Sequence, residues 1–263
     1  MEQLYAAIIV AIVEGVTEFI PVSSTGHMII VGNMIGFNDE AAAVFEVFIQ
    51  LGAILSVIYI YKEKFRHFLT KDGFNVNKGM SAWHVAAGII PVGLVGLLFH
   101  SMIKKYLFSP YTVIIGLVLG ALMMLAAEKY AKEQPLDDVD KMTIKQALFV
   151  GLFQIFALWP GFSRSGSTIS GGLFMGLSRK AAAEFSFIIA VPLMFVACIF
   201  DLLKSMKFLT QDDLLMLAVG FVVAFITAWI SVVWFLKFLN RSSLSAFAYY
   251  RFVLAAFSLW YFT

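Results

Sequence analysis

Residues 14–27 read EGVTEFIPVSSTGH. Two acids, a proline, a run of hydroxyls and a histidine stand between LYAAIIVAIV at 4–13 and MIIVGNMIGF at 28–37, both of which look like membrane helix. Residues 4–13 in helix reach only about 15 Å, half of a hydrocarbon core roughly 30 Å thick. The stretch therefore predicts a pair of half-helices that enters and leaves by one face. Broken backbone at that depth is tolerated only inside protein or beside a water-filled cavity.

The rest of the chain agrees with a membrane setting. Of 263 residues, 61% are hydrophobic and 14% charged, against about a quarter charged in soluble domains. A net charge of +2 says nothing about nucleic acid, and no arginine-rich, aromatic-interleaved patch appears, so no nucleic-acid partner is expected. The single cysteine, Cys198, lies in an apolar run, which excludes a disulfide framework and a thiolate metal site. The start MEQ lacks the basic flank of a signal peptide, so the first apolar segment is expected in the mature fold.

Full crossings are expected at 44–61, 82–99, 111–127, 185–203, 214–237 and 245–262. A second broken region, 144–176, resembles 4–36. Sliding the chain against itself puts Ser23 on Ser163, Gly26 on Gly166, Ile29 on Ile169, Gly32 on Gly172, Gly36 on Gly176 and Phe45 on Phe185. The expectation is an all-α polytopic membrane protein: six transmembrane helices plus two re-entrant helical hairpins in an inverted-topology repeat. Repeat one is 1–127, repeat two 144–263 and the acidic link 128–143. In such folds the site lies near the midplane where interrupted helices meet. Most lysines and arginines fall in the 62–81, 128–145, 177–184 and 237–244 loops; Lys104, Lys105, Lys204 and Lys207 stand on the other side. The positive-inside rule then puts both termini outside. His67, His84 and His100 are expected at the interface, Arg251 as a snorkelling anchor beside Tyr249 and Tyr250, and Glu46 and Gln50 on a cavity wall.

Glu14 and Glu18 share a helix face, where like charges repel. Buried together they share a proton, pair with a cation, or hold a hard divalent ion such as Mg²⁺ or Ca²⁺. Ser23, Ser24 and Thr25 open the next half-helix, where hydroxyls and free N–H groups make an anion site or simply a cap. An intramembrane His27 is expensive unless used, as base, nucleophile or metal ligand. The second break, PGFSRSGSTISGG at 160–172, supplies Ser163, Ser165, Ser167 and Thr168 beside Arg164, whose planar fork suits phosphate; the competing role is a salt bridge to Glu14 or Glu18. The two breaks differ at corresponding positions: Glu14 meets Gln154, Ser24 meets Arg164 and His27 meets Ser167. Carboxylates and imidazole come from one, the cation from the other.

EGVTEFIPVSSTGH with PGFSRSGST resembles the undecaprenyl-diphosphatase family of bacterial membranes, the bacitracin-resistance type. The resemblance covers the whole chain. It implies an inverted-repeat fold in the bacterial inner membrane, divalent-metal dependence, and removal of the terminal phosphate of undecaprenyl diphosphate at a site open to the outer face. It also places the family's functional residues on Glu14, Glu18, Ser24, His27, Ser163, Arg164 and Thr168. The expected scheme lays the polyprenyl tail between helices. Ser23, Thr25, Ser163, Arg164, Ser165 and Thr168 hold the phosphates, and Glu14 and Glu18 hold the cation. Attack comes from Ser24 with His27 as its base, from His27 itself, or from water, with Ser24 preferred. A cation- or proton-coupled transporter or flippase is the competing reading. Small-residue faces such as GLVLGALMM permit a homodimer as well as internal packing.

Overall fold

The structure, a computed structural model, describes residues 2–107, 109–132, 135–205 and 213–263. Among them the secondary structure is helical, apart from one isolated bridge between Leu136 and Leu177.

The chain opens with α1 (Glu2–Thr17), breaks, and resumes as α2 (Ser24–Ile35). Pro21 has no N–H to continue the helix. Ser23 restarts it, its hydroxyl accepting from the Gly26 amide, and Gly36 ends α2 at φ 69°. Then come α3 (Glu40–Ile60), the short α4 (Lys62–Phe68), α5 (Ala82–Tyr106) and α6 (Pro110–Lys129). Asp39 caps α3 by accepting from the Ala42 amide, and Ser109 with Pro110 starts α6, both ordinary start signals. The second half repeats the plan: α7 (Ile144–Gln154), a 3₁₀ turn, a break, then α8 (Arg164–Phe174), α9 (Arg179–Ser205), α10 (Asp213–Leu239) and α11 (Ser245–Phe262).

Among the described residues, five helices are long and apolar enough to cross a membrane, over Ala41–Ile60, Ala82–Ile103, Pro110–Lys129, Arg179–Leu203 and Leu214–Leu239. The expected sixth crossing forms as α11, but its 18 residues include Tyr249, Tyr250 and Arg251 and fall outside that group. Gln3–Thr17 and Ile144–Leu158 are apolar but too short.

Packing brings the two breaks together. α3 sits between α10 and α9, α1 lies along α10, and α7 lies along α5. Glycines make the close crossings: a Cβ at Gly15 would collide with α10 at Ala224 and Thr227, and one at Gly151 with Ala87 and Gly88 of α5. α6 packs on both α11 and α8. Its Gly116 and Gly120 meet Phe162 and Arg251, so this small-residue face is used internally. Between the halves, Phe19 meets Phe187 edge-on at 5.4 Å, and Phe187 continues to Phe235 and Phe247.

The four basic-rich segments are tied together at one end. Lys64 bonds Asp140 at 2.5 Å, and Glu128 accepts from Arg179 and from the Leu244 amide. Asp140 is partly buried, which pushes its carboxyl up, yet Lys64 and the Met80 amide outweigh burial and hold it below the usual carboxylate range. His84 is not interfacial: it is buried, bonding Ser81 and the Met142 carbonyl. Of the lysines expected at the other end, Lys207 lies outside the described residues, as do the side chains of Lys104 and Lys204; so do Glu133 and Gln134 of the link.

Candidate active site

Each break is built around a serine in a backbone pose that L-residues avoid. Ser23 and Ser163 both have φ 72°, and no other non-glycine described residue has positive φ. Strain of this kind costs about 1–3 kcal/mol and collects at functional sites. The pose turns the chain abruptly into α2 and α8, so that both helix starts, with their unpaired N–H groups, open on one cavity. That cavity has a volume of about 200 Å³. That space has room for a small hydrated anion and is far too small for a long lipid tail. Glu18, Ser23, Ser24, Thr25, Gln50, Trp159, Gly161, Ser163, Arg164 and Met194 line it.

One carboxylate joins the halves. Glu18 Oε1 accepts from Arg164 Nη2 at 2.8 Å, and Glu18 Oε2 accepts from Ser24 Oγ at 2.5 Å. The pair is largely buried, with side-chain exposures of 13% for Arg164 and 9% for Glu18. The guanidinium also lies 5.2 Å from the centre of the Phe19 ring and donates to Met194 Sδ. The bridge to Glu18 is single-pointed, and Arg164 Nε has no partner. The salt bridge and the cavity-lining position thus coexist in one residue.

The structure separates other expected members of the site. Ser165 is buried and reaches across to the Ile20 carbonyl at 3.2 Å, joining the breaks. Thr168 is fully buried, bonding Ser186 Oγ at 2.5 Å and the Arg164 carbonyl at 2.9 Å. Neither lines the cavity. His27 does not reach Ser24: its Nδ1 bonds the Ser23 carbonyl at 2.8 Å and its Nε2 bonds Tyr250 Oη at 2.7 Å. The pairing of Ser24 with His27 is therefore replaced by Ser24 with Glu18. The reason is that each side chain is already engaged, Ser24 Oγ by Glu18 and the His27 ring by the Ser23 carbonyl and Tyr250 Oη.

That far side is a second recess of about 510 Å³, lined by Val16, Thr17, Ile20, Val22, His27, Ile230, Trp234, Phe238, Phe247 and Tyr250. Residues 16–27 thus form a shared wall, polar on the cavity side and mostly apolar on the other. Tyr250 was missed in the sequence because no periodicity distinguishes a hydrogen-bonding tyrosine from an interfacial anchor. Gln50 does line the cavity, as expected of the wall.

Glu14 lies one turn before Glu18 and is buried, with Oε1 lacking any hydrogen-bond partner. An orphaned buried carboxylate oxygen beside a second carboxylate fits a hard divalent cation. Among the described residues no three His, Cys, Asp or Glu cluster as a ligand set, so phosphate oxygens would complete the shell, as is usual for Mg²⁺. Arg251 is not a surface anchor but fully buried.

The model of a family described as "Bacitracin resistance protein BacA" matches residues 7–257. Relatives named "Undecaprenyl-diphosphatase 1" from Bacillus cereus and Bacillus anthracis are each 49% identical over 256 residues, 97% of this chain and 97% of theirs. With two serine-capped breaks, a bridging glutamate and an arginine in one cavity, the chain belongs to the bacitracin resistance protein BacA family.

Proposed function

We propose that this chain hydrolyses undecaprenyl diphosphate to undecaprenyl phosphate and inorganic phosphate, returning the lipid carrier to cell-wall synthesis. The observation that carries the reading is the single carboxylate, Glu18, bonded at once to Ser24 and Arg164. It sets an attackable hydroxyl, a proton acceptor and an anion-binding cation around one cavity.

The terminal phosphate sits between the starts of α2 and α8, met by Arg164 and the hydroxyls of Ser23, Thr25 and Ser163. Helix N-termini and a guanidinium stabilise the charge on the transferring group. Ser24 Oγ attacks phosphorus in line as its proton passes to Glu18 Oε2, and the bond to the bridging oxygen breaks, releasing the lipid monophosphate. Water then attacks the phosphoserine and the bond to Ser24 Oγ breaks; Glu18 Oε2 returns its proton to that oxygen, water's protons leave with the phosphate, and the Ser24 hydroxyl and Glu18 carboxylate are restored. Glu14 and Glu18 would hold a divalent cation, which would add charge neutralisation at the phosphates. His27, on the groove side, gives its Nδ1–H to the Ser23 carbonyl and accepts from Tyr250 Oη at Nε2, so it steadies the backbone of the first break beside the lipid-linked phosphate. The apolar recess beside it takes the first isoprene units. Ser165 and Thr168 act behind the cavity as braces.

The breaks belong to two re-entrant hairpins in inverted halves, 1–127 and 144–263, set in the inner membrane with the cavity open outward and both termini outside. The gathering of the basic segments at one end supports this orientation. A cysteine placed at Thr263 should react with an impermeant reagent added to intact cells, and protection there would reverse it.

The test of the activity is phosphate release in detergent, where no compartments exist, from a polyprenyl diphosphate and from a soluble diphosphate. Release with preference for the lipid is expected. No release from either would replace the enzyme with a transporter of the same lipid.

A further inference from the structure

Arg251 is the largest fully buried side chain described, and the reaction above gives it no task. It lies in the first half of α11, inside protein. Among the described residues no carboxylate pairs with it. Its donors go instead to backbone. Nη2 donates to the Gly161 carbonyl at 2.8 Å, the Phe162 carbonyl at 2.9 Å and the Gly116 carbonyl at 3.2 Å, and Nη1 meets Met124 Sδ at 3.4 Å. A buried cation unpaired by an anion costs several kcal/mol, so its retention calls for a use.

The partners show the use. Gly161 lines the phosphate cavity and has φ 89°; Phe162 precedes the strained Ser163. The guanidinium therefore grips the two peptide units whose direction decides where Ser163 and Arg164 point. Carbonyls turned towards Arg251 are carbonyls turned away from the anion. Two further facts agree. α6 carries glycine at 120, where a Cβ would overlap Arg251 Nη2 and the Phe162 carbonyl, so room for the fork is built in. And the neighbouring residue, Tyr250, holds His27 of the other break. One turn of α11 thus touches both breaks.

We infer that Arg251 is a positioning residue for phosphoryl transfer, holding the 161–162 peptide carbonyls away from the anion so that Arg164 and the start of α8 meet the transferring phosphate. The inference rests on the phosphatase reading. A displacement of about 1 Å in a positioned group costs up to roughly 100-fold, and that is the scale expected for kcat when the fork is lost.

The experiment is a double-mutant cycle in detergent with a polyprenyl diphosphate, with folded protein counted by thermal melting. Arg251→Lys keeps the charge and loses the fork, Gly120→Ala keeps Arg251 but crowds it, and each is combined with Arg164→Lys. Both single variants should lose about 100-fold in kcat per folded molecule, with KM within a few-fold. In the Arg164→Lys background either change should cost little, because two residues acting through one group do not add. Full kcat in Arg251→Lys and Gly120→Ala, or losses that multiply with Arg164→Lys, would overturn the inference and leave Arg251 structural. A wild type that releases no phosphate would overturn the phosphatase reading instead. If Arg251→Lys does not fold, Gly120→Ala decides the matter alone.

Discussion

Ser23 and Ser163 occupy corresponding places in the two breaks, share φ 72°, and each accepts from the amide three residues on. Everything attached to that common backbone differs. The residue after Ser23 is a serine that donates to Glu18; the residue after Ser163 is an arginine that donates to the same Glu18 from the other side. Glu14 is answered by Gln154, which spends its amide on the Gly88 carbonyl. His27 is answered by Ser167, which only bonds the Ser163 carbonyl. Matching backbones give two helix starts aimed at one cavity. Divergent side chains give one break carboxylates, a hydroxyl and an imidazole, and the other a positive charge. Two copies of the first would repel, and two copies of the second would bind phosphate without attacking it.

The comparison can be broken most sharply at its junction. On the proposed mechanism, Ser24→Ala takes away the attacking oxygen and Glu18→Gln its proton acceptor, and turnover should fall by roughly 10²–10⁴-fold in each. Glu18→Gln should also lower the melting temperature, since breaking a buried ion pair from one side costs about 3–5 kcal/mol. Normal phosphate release from Ser24→Ala would move the nucleophile elsewhere. His27→Ser gives the first break the residue of the second. A loss of about 10²-fold, matched in part by Tyr250→Phe, is expected in a turnover assay; an unaltered rate would take His27 out of the reaction.

Glu14→Gln likewise imposes the second break's residue on the first. EDTA should suppress wild-type hydrolysis, whereas the slower Glu14→Gln enzyme should respond less to chelation. Equal sensitivity in both would remove Glu14 as a cation ligand. Ser23→Gly and Ser163→Gly relieve the positive φ, worth about 1 kcal/mol, and lose only a few tenths from the cap. Thermal melting should therefore show the two variants alike and close to wild type, and a large difference between them would mean the shared backbone pose is not shared in energy.

The smallest effect lies at the link. Asp140 is held below its ordinary range, so the stability it contributes is present above the unfolded carboxylate value of about 3.9 and is lost as pH falls through its lower folded value. Asp140→Asn should flatten that acid limb. Because the carboxylate is 46% exposed, solvent screening keeps the effect within about 1 kcal/mol.

Much of this was legible in the residues. A polar run placed half a membrane into an apolar segment can only be a break, and two such runs with matched glycines and serines must pack against each other to hide their backbone. Hydropathy depends on composition alone, and it located the five long helices. The sixth expected crossing forms as a helix, α11, but Tyr249, Tyr250 and Arg251 leave it less apolar than those five. Composition also read Arg251 and His84 as surface groups. Both are buried, because their partners are carbonyl oxygens of distant segments, Gly161 and Phe162 in one case and Met142 in the other. Every residue has a carbonyl, so a sequence carries no mark of which one a side chain will meet.

What the sequence determined by itself was the membrane setting, the two breaks and the sorting of acids, hydroxyls and arginine between them, because chain polarity and local backbone preference are written residue by residue. Only the tertiary structure decided that Ser24 answers to Glu18 while His27 answers to Tyr250, and that Arg251 serves a loop far from it along the chain. Those pairings depend on the rotation of each helix about its own axis, and that rotation is set by packing against neighbours far away in sequence.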